Sequence, residues 1–180
     1  MAINIIKKYD AFLEINHFTE AQRKASLRAI FDRDIANNNN FNFRTKIIRP
    51  LKKEDIIDVE SLFTHLTYKT EDAEKDKRGK VLKTRNVFDF ERSKRLHWIL
   101  SHINELTNSE IEVFSSNNRI GGLDVIRTYI HNKEKNYVII LEPQNSGLDY
   151  YFITAYYLEK KYGGPNMIKN KFKNRLPEVY

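Results

Sequence analysis

Arginine, histidine, threonine and tyrosine recur in the second half of this chain at spacings that gather them on one helix and two strands. Residues 89–106 carry Leu96, Ile99, Leu100, Ile103 and Leu106 as one helical stripe, with Asp89 placed to cap its start. At about 100° per residue, Arg92 falls within that stripe, Arg95 and His97 flank it, and Lys94 and Trp98 face away. An arginine directed under a sheet must be paired, must snorkel, or must line a polar site. In residues 124–130, strand alternation puts Arg127 and Tyr129 on one face and Ile126, Thr128 and Ile130 on the other. The same rule groups Thr154 and Tyr156 with Tyr150 and Phe152 in residues 150–158. Tyrosine and threonine are ordinary strand formers, but arginine is not, and this singles out Arg127.

These residue types suffice for cleaving RNA without a metal. A general base must take the ribose hydroxyl proton, cations must meet the charge that builds on phosphorus, and an acid must protonate the leaving oxygen. Arg92 and Arg127 are expected to meet in one groove as the phosphate ligands, because arginine suits bidentate phosphate contact. His97 is the expected proton-transfer group, Thr154 positions phosphate or ribose, and Tyr129 completes the catalytic set.

Charge distribution supports an anionic partner. The chain has 31 Lys and Arg against 24 Asp and Glu, a net +7. Residues 75–95 hold nine cationic residues against three anionic, and residues 166–180 hold four against one. Charge segregated in this way makes a binding face for nucleic acid. Lys94, Arg95, Tyr156, Lys169, Lys171 and Lys173 are the candidate RNA contacts.

Other chemistries are ruled out by composition. With no cysteine there is no disulfide, no thiolate nucleophile and no cysteine-bound zinc. The five histidines show neither H-x-x-x-H nor H-E-x-x-H spacing, so no metal site and no cofactor are expected. No apolar run approaches the roughly 18 residues of a membrane span, and the first residues lack a signal-peptide core. A cytoplasmic protein that avoids membranes is therefore expected.

The elements that must position these residues divide the chain in three. Residues 1–70 read as a helical region: Thr19 and Gln22 form a capping box ahead of Leu27, Ile30, Phe31 and Ile35, and a second helix spans 54–66. The run of asparagines at 37–40 marks a loop or boundary. Residues 71–87 form a basic linker or hairpin. Residues 88–180 form an α+β unit in which the 89–106 helix packs on four strands, at 110–115, 124–130, 136–142 and 150–158. Their short connections predict an antiparallel meander. The third of these strands is apolar on both faces and should be central. A basic helix with Ile168, Phe172 and Leu176 on its apolar side closes the chain.

Four segments in this order resemble a known nuclease group. They are residues 88–99 (Phe88-Asp89-Phe90-Glu91-Arg92-Ser93-Lys94-Arg95-Leu96-His97-Trp98-Ile99), Arg127-Thr128-Tyr129-Ile130, Asn136 to Glu142, and Tyr151-Phe152-Ile153-Thr154-Ala155-Tyr156-Tyr157-Leu158. The likeness is to the phage and polymorphic-toxin members of the barnase/EndoU/colicin/RelE-like superfamily, and it covers about half the chain. It implies a helix-plus-four-strand fold, metal-independent cleavage of RNA (often tRNA) and, for toxin members, a cognate antitoxin or immunity protein. By motif position Arg92 and Arg95 are the helix arginines, Arg127 the strand arginine and Thr154 the threonine of T-A-Y. The alternative reading is a module of the same fold that binds nucleic acid, or another partner, without cleaving it. The long N-terminal part has no counterpart in the resemblance.

Overall fold

Apolar residues that alternate along the chain build one sheet, and those spaced by three and four build the helices that cover it. The computed structural model describes residues 2–50, 52–53, 56–75, 81–106, 111–144 and 146–180. The first part holds α1 (Ala2–Ile5), α2 (Glu20–Phe31) with a π-helical turn after it, β1 (Asn42–Phe43) and β2 (Lys46–Pro50). Short strands β3 (Lys52–Lys53) and β4 (Ile56–Ile57) lead into α3 (Val59–Thr67) and the hairpin β5 (Tyr68–Lys75) and β6 (Val81–Phe88). Then come α4 (Phe90–Ser93), α5 (Trp98–Ile103), β7 (Ile111–Ile120), β8 (Leu123–Asn132), β9 (Tyr137–Pro143), β10 (Asp149–Tyr157) and α6 (Gly164–Lys173).

The protein is α+β, but its main sheet has six strands in the order β1-β2-β10-β9-β8-β7 and is mixed. The four expected strands are antiparallel neighbours within it. The expectation that they close a sheet by themselves, behind a purely helical first part, is corrected by β2. This strand pairs in parallel with β10, from Asp149 opposite Ile47 to Phe152 opposite Pro50. Without it, the first half of β10 would present unpaired N–H and C=O groups. Pro50 sits at the strand end, where its missing N–H is tolerated, and Arg49 Nε donates to Asp149 Oδ2 at 2.7 Å to hold the register.

The helix expected over 89–106 is interrupted. Asp89 caps α4 by accepting the Arg92 N–H at 3.0 Å, as its position suggested. Between α4 and α5 the bonds tighten: Trp98 N–H reaches the Arg95 carbonyl at 2.9 Å and Leu96 N–H that of Ser93 at 3.1 Å. Three residues per turn instead of 3.6 advance the side chains by about 20° per residue. Trp98, expected to face away, is thereby buried, and its Nε1–H donates to the Ala11 carbonyl.

One core lies between the sheet and helices α2, α3 and α5. It joins Leu27, Ile30 and Phe31 of α2 and Phe63 and Leu66 of α3 to Ile99, Ile139, Leu141 and Phe152. The regions 1–70 and 88–180 thus contribute to the same apolar cluster, and α2 begins with the Thr19–Gln22 capping box. The opposite sheet face carries Phe114, Tyr129, Val138 and Ile140, covered by Ile168 and partly by Phe172 of α6. Leu176, placed on α6 by periodicity, lies beyond its end, where its N–H bonds the Ser115 carbonyl. Of the basic segment, residues 76–80 lie outside the described residues, as do Glu54 and Asp55 of the expected second helix and Glu110 of the first expected strand. Among the described residues no helix is long and apolar enough to cross a membrane.

His102 makes the fold sensitive to acid. It is fully buried against Tyr9, Trp98 and Tyr137. Its Nδ1 lies 2.7 Å from the Trp98 carbonyl, so that nitrogen carries the proton, while Nε2 accepts from the Asn132 amide at 3.3 Å. Protonating Nε2 would set two donors against each other, and burial lowers the imidazole pKa from 6.5 to about 4. The unfolded chain then binds the proton more readily than the folded one. Stability contributed at pH 7 is lost as pH falls from 6.5 towards 4, by about 3 kcal/mol in full. Urea midpoints measured from pH 7 to pH 4 should fall over that window, and His102→Gln should flatten the fall.

Candidate active site

Cross-strand register sets three rows on the sheet face that α6 partly covers. Tyr151, Glu142, Arg127 and Ser116 form the first; Thr154, Ile140, Tyr129 and Phe114 the second; Tyr156, Val138, His131 and Glu112 the third. Simple alternation would have put Thr154 and Tyr156 with Tyr150 and Phe152. A bulge between Phe152 and Thr154 inserts one residue and turns the rest of β10 over. Tyr150 and Phe152 consequently join the main core, whereas Thr154 and Tyr156 come to the face of Arg127 and Tyr129.

Arg127 is three-quarters buried, and its Nε has no hydrogen-bond partner among the described residues. Glu142 lies in the same row with Oε2 3.6 Å away, an ion pair too long for a hydrogen bond. Tyr129 stacks on Phe114 at 5.0 Å and donates its hydroxyl to Asn118 Oδ1 at 2.9 Å.

Arg92 approaches from the free half of the β10 edge. Its Nη1 donates to the His65 carbonyl at 2.6 Å, and its guanidinium lies 5.7 Å from the centre of the Tyr156 ring. Its Nε is buried without a hydrogen-bond partner among the described residues, with Asp89 Oδ2 at 3.7 Å. Arg85 donates to the same His65 carbonyl at 3.2 Å, so two guanidiniums converge there. Burial and then the neighbouring Arg92 charge lower the Arg85 pKa. Burial, then Arg85 and Arg92, hold His65 neutral by lowering its pKa to about 4.

Tyr156 links the two arginines electrostatically. Burial raises the pKa of its hydroxyl first and Tyr129 adds to the rise, while Arg92 and Arg127 pull it down. The phenol is therefore a neutral donor set in a positive field. Cationic nitrogens that are buried yet unbonded are costly unless an anion completes them. No family model, curated protein or solved structure matches this chain.

Arg127, Tyr129, Thr154 and Tyr156 thus share one sheet face and Arg92 reaches it through Tyr156, and the remaining expected site residues lie elsewhere or are engaged. His97 is 4% exposed and packs by the backbones of Lys8 and Ala11, near Asp34. The tightened turn that buries Trp98 also turns His97 towards the N-terminal segment. Arg95 is buried, paired with Glu91 Oε2 at 2.7 Å, and lies over Tyr157 at 4.4 Å. Lys94 pairs with Glu91 Oε1 at 2.7 Å and lies over Phe12. Both therefore hold the fold together. Lys169, Lys171 and Lys173 sit on α6, the first and third exposed and Lys171 half-buried. Sequence reasoning passed over Glu142, Asn118, Arg85 and His65. Glu142 was recoverable from alternation along the expected strand 136–142, which sets it on the face of Val138 and Ile140; His65 carried no local signal, lying on an ordinary amphipathic helix.

Proposed function

We propose that this chain is an endoribonuclease that cleaves RNA by acid–base transesterification without a metal. The observation that supports it most directly is that Arg92 and Arg127, whose Nε atoms are buried and unbonded, both act on Tyr156; Arg95 Nε is unbonded too, but its guanidinium is already bonded to Glu91. In this reading a scissile phosphate displaces the carboxylates from the long pairings of Arg92 with Asp89 (3.7 Å) and Arg127 with Glu142 (3.6 Å) and takes up the guanidinium donors. Glu142 accepts the proton of the 2′-hydroxyl, whose oxygen attacks phosphorus. The bond from phosphorus to the 5′-oxygen breaks, and Tyr156 gives that oxygen its proton; the proton held by Glu142 then returns to the Tyr156 oxygen through water and resets the site. The arginines hold the charge that develops on the phosphoryl oxygens. Thr154 and the Tyr129–Asn118 pair line the same face and position the nucleotide. His97 has no part in this scheme.

The test is purified protein with total RNA in EDTA. The expected products carry 2′,3′-cyclic phosphate and 5′-hydroxyl ends. Retention of RNA without cleavage would favour the binding-module reading, in which the α6 lysines hold a backbone. A toxin role with an antitoxin or immunity partner, acting in the cytoplasm, rests on the family resemblance. It predicts host arrest on expression, which Arg127→Ala should relieve.

A further inference from the structure

β7 and β8 run on past the rest of the sheet. They pair residue for residue from Ile111–Asn132 to Ile120–Leu123 without a bulge, whereas β9 pairs with β8 only as far as Thr128. Residues 117–126 therefore form a two-stranded arm. It is closed by Gly121 and Gly122, whose φ angles of 57° and 88° suit the tight turn of a hairpin. The strand order ends at β7, so among the described residues no strand covers the outer edge of the arm. Proteins protect such an edge with a proline, a bulge or lysines, and β7 has none of the three. At the tip Ile120 and Leu123 form a cross-strand pair and are 39% and 71% exposed. The arm is also neutral in a chain of net charge +7, since Arg119 is its one cation and Asp124, across from it, its one anion.

We propose that this arm pairs edge to edge with the arm of a second copy of the chain, so that two copies share one continuous sheet. Neutrality favours a second copy over a charged partner, because two cationic molecules can meet here without setting like charges opposite each other. The register follows from what is left free. The C-terminal segment already holds β7 at Ser115, where Leu176 N–H bonds the carbonyl and Tyr180 N–H bonds Oγ. The turn begins after Ile120, so the free stretch is centred on Asn118. Alternation from the outward Ser115 carbonyl turns the N–H and C=O of Asn117 and Arg119 outward as well. In an antiparallel pairing about a two-fold axis, Asn117 of one copy exchanges hydrogen bonds with Arg119 of the other, and Asn118 faces its own counterpart. Side chains directly opposite share a face, which sets Ile120 of each copy beside Ser116 of the other, in the row that holds Arg127. The two arginine faces then open on the same side, each bordered by the other copy's tip. This pairing holds whether or not the chain cleaves RNA.

The chain has no cysteine, so one introduced cysteine reports on this contact alone. Asn118→Cys sets two thiols in a non-hydrogen-bonded cross-strand pair, about 4.5 Å apart at Cα and within disulfide range. Mild oxidation of the full chain should link it into a dimer. Asp124→Cys, on the exposed far strand of the arm and off the axis, should not cross-link. Sedimentation of the unaltered protein should give twice the 21.4 kDa of one chain. Arg119→Pro removes an outward N–H, which an edge strand tolerates, and should halve that mass while the melting temperature holds. Ile120→Lys, which sets a cation towards the other copy's Arg127, should halve it too. A mass of one chain at every concentration overturns the proposal. So does a dimer that survives both substitutions, or one in which Asp124→Cys links as readily as Asn118→Cys.

Discussion

Alanine in place of Arg127 is expected to slow RNA cleavage by about 10²–10³-fold, the usual effect of removing one donor from a transition-state charge site. Thermal stability should change little. Among the described residues the side chain makes one long ion pair, with Glu142, and its Nε contributes no hydrogen bond to the fold. Arg92→Ala should match it in activity. Its structural loss is modest, because Arg85 still donates to the His65 carbonyl that Arg92 leaves. Lysine should restore little at either position, since a point charge cannot reproduce the two-pronged contact of a guanidinium. Removing either arginine should cost nearly as much as removing both, because the two act on one phosphate. The measurements are cleavage rates on one RNA and melting temperatures of each variant. A variant that melts well below the parent yet cleaves normally would mark its arginine as structural and sink the site.

Residues 88–180 expressed without the preceding chain are expected to show no cooperative unfolding transition. The family resemblance treats that segment as the complete catalytic unit, yet its sheet is not complete in itself. Phe152, Ile139 and Leu141 share one apolar cluster with Phe31, Phe43 and Ile48, all contributed by the first 50 residues. Ending the fold at residue 88 would bare that apolar face and strip β2 from the edge of β10. Full burial of one such side chain contributes about 1.5–3 kcal/mol, so losing several exceeds the whole stability of an ordinary domain. Circular dichroism during a urea titration distinguishes the outcomes. A sharp two-state transition in the fragment would show that the N-terminal part only decorates an independent unit.

Adding the missing N-terminal segment as a separate peptide should restore part of the cooperativity, because the contacts it supplies run through one cluster. Recovery of cleavage in the same mixture would tie the site to the completed sheet. Arg92 depends on it as well, since its Nη1 is held by the carbonyl of His65 at the end of α3.

Much of this protein is legible in its sequence because local periodicity is a local property. The capping box of Thr19 and Gln22, the apolar stripe of α2, the doubly apolar β9 and the shared face of Arg127 and Tyr129 all follow from spacing within a few residues. Tertiary structure decided the rest. The bulge after Phe152 brings Thr154 and Tyr156 to the arginine face, and a single inserted residue leaves no mark on composition. Three-residue turns between α4 and α5 bury Trp98 and send His97 to the N-terminal segment, although the helical stripe reads as unbroken. β2 joins β10 in parallel across about 100 residues of chain, and such a pairing is chosen by the edge that needs covering, not by the strand's own few residues. His65 and Glu142 enter the site for the same reason. Each is ordinary in its own segment and acquires a role only from the charges that the folded sheet and helices set beside it.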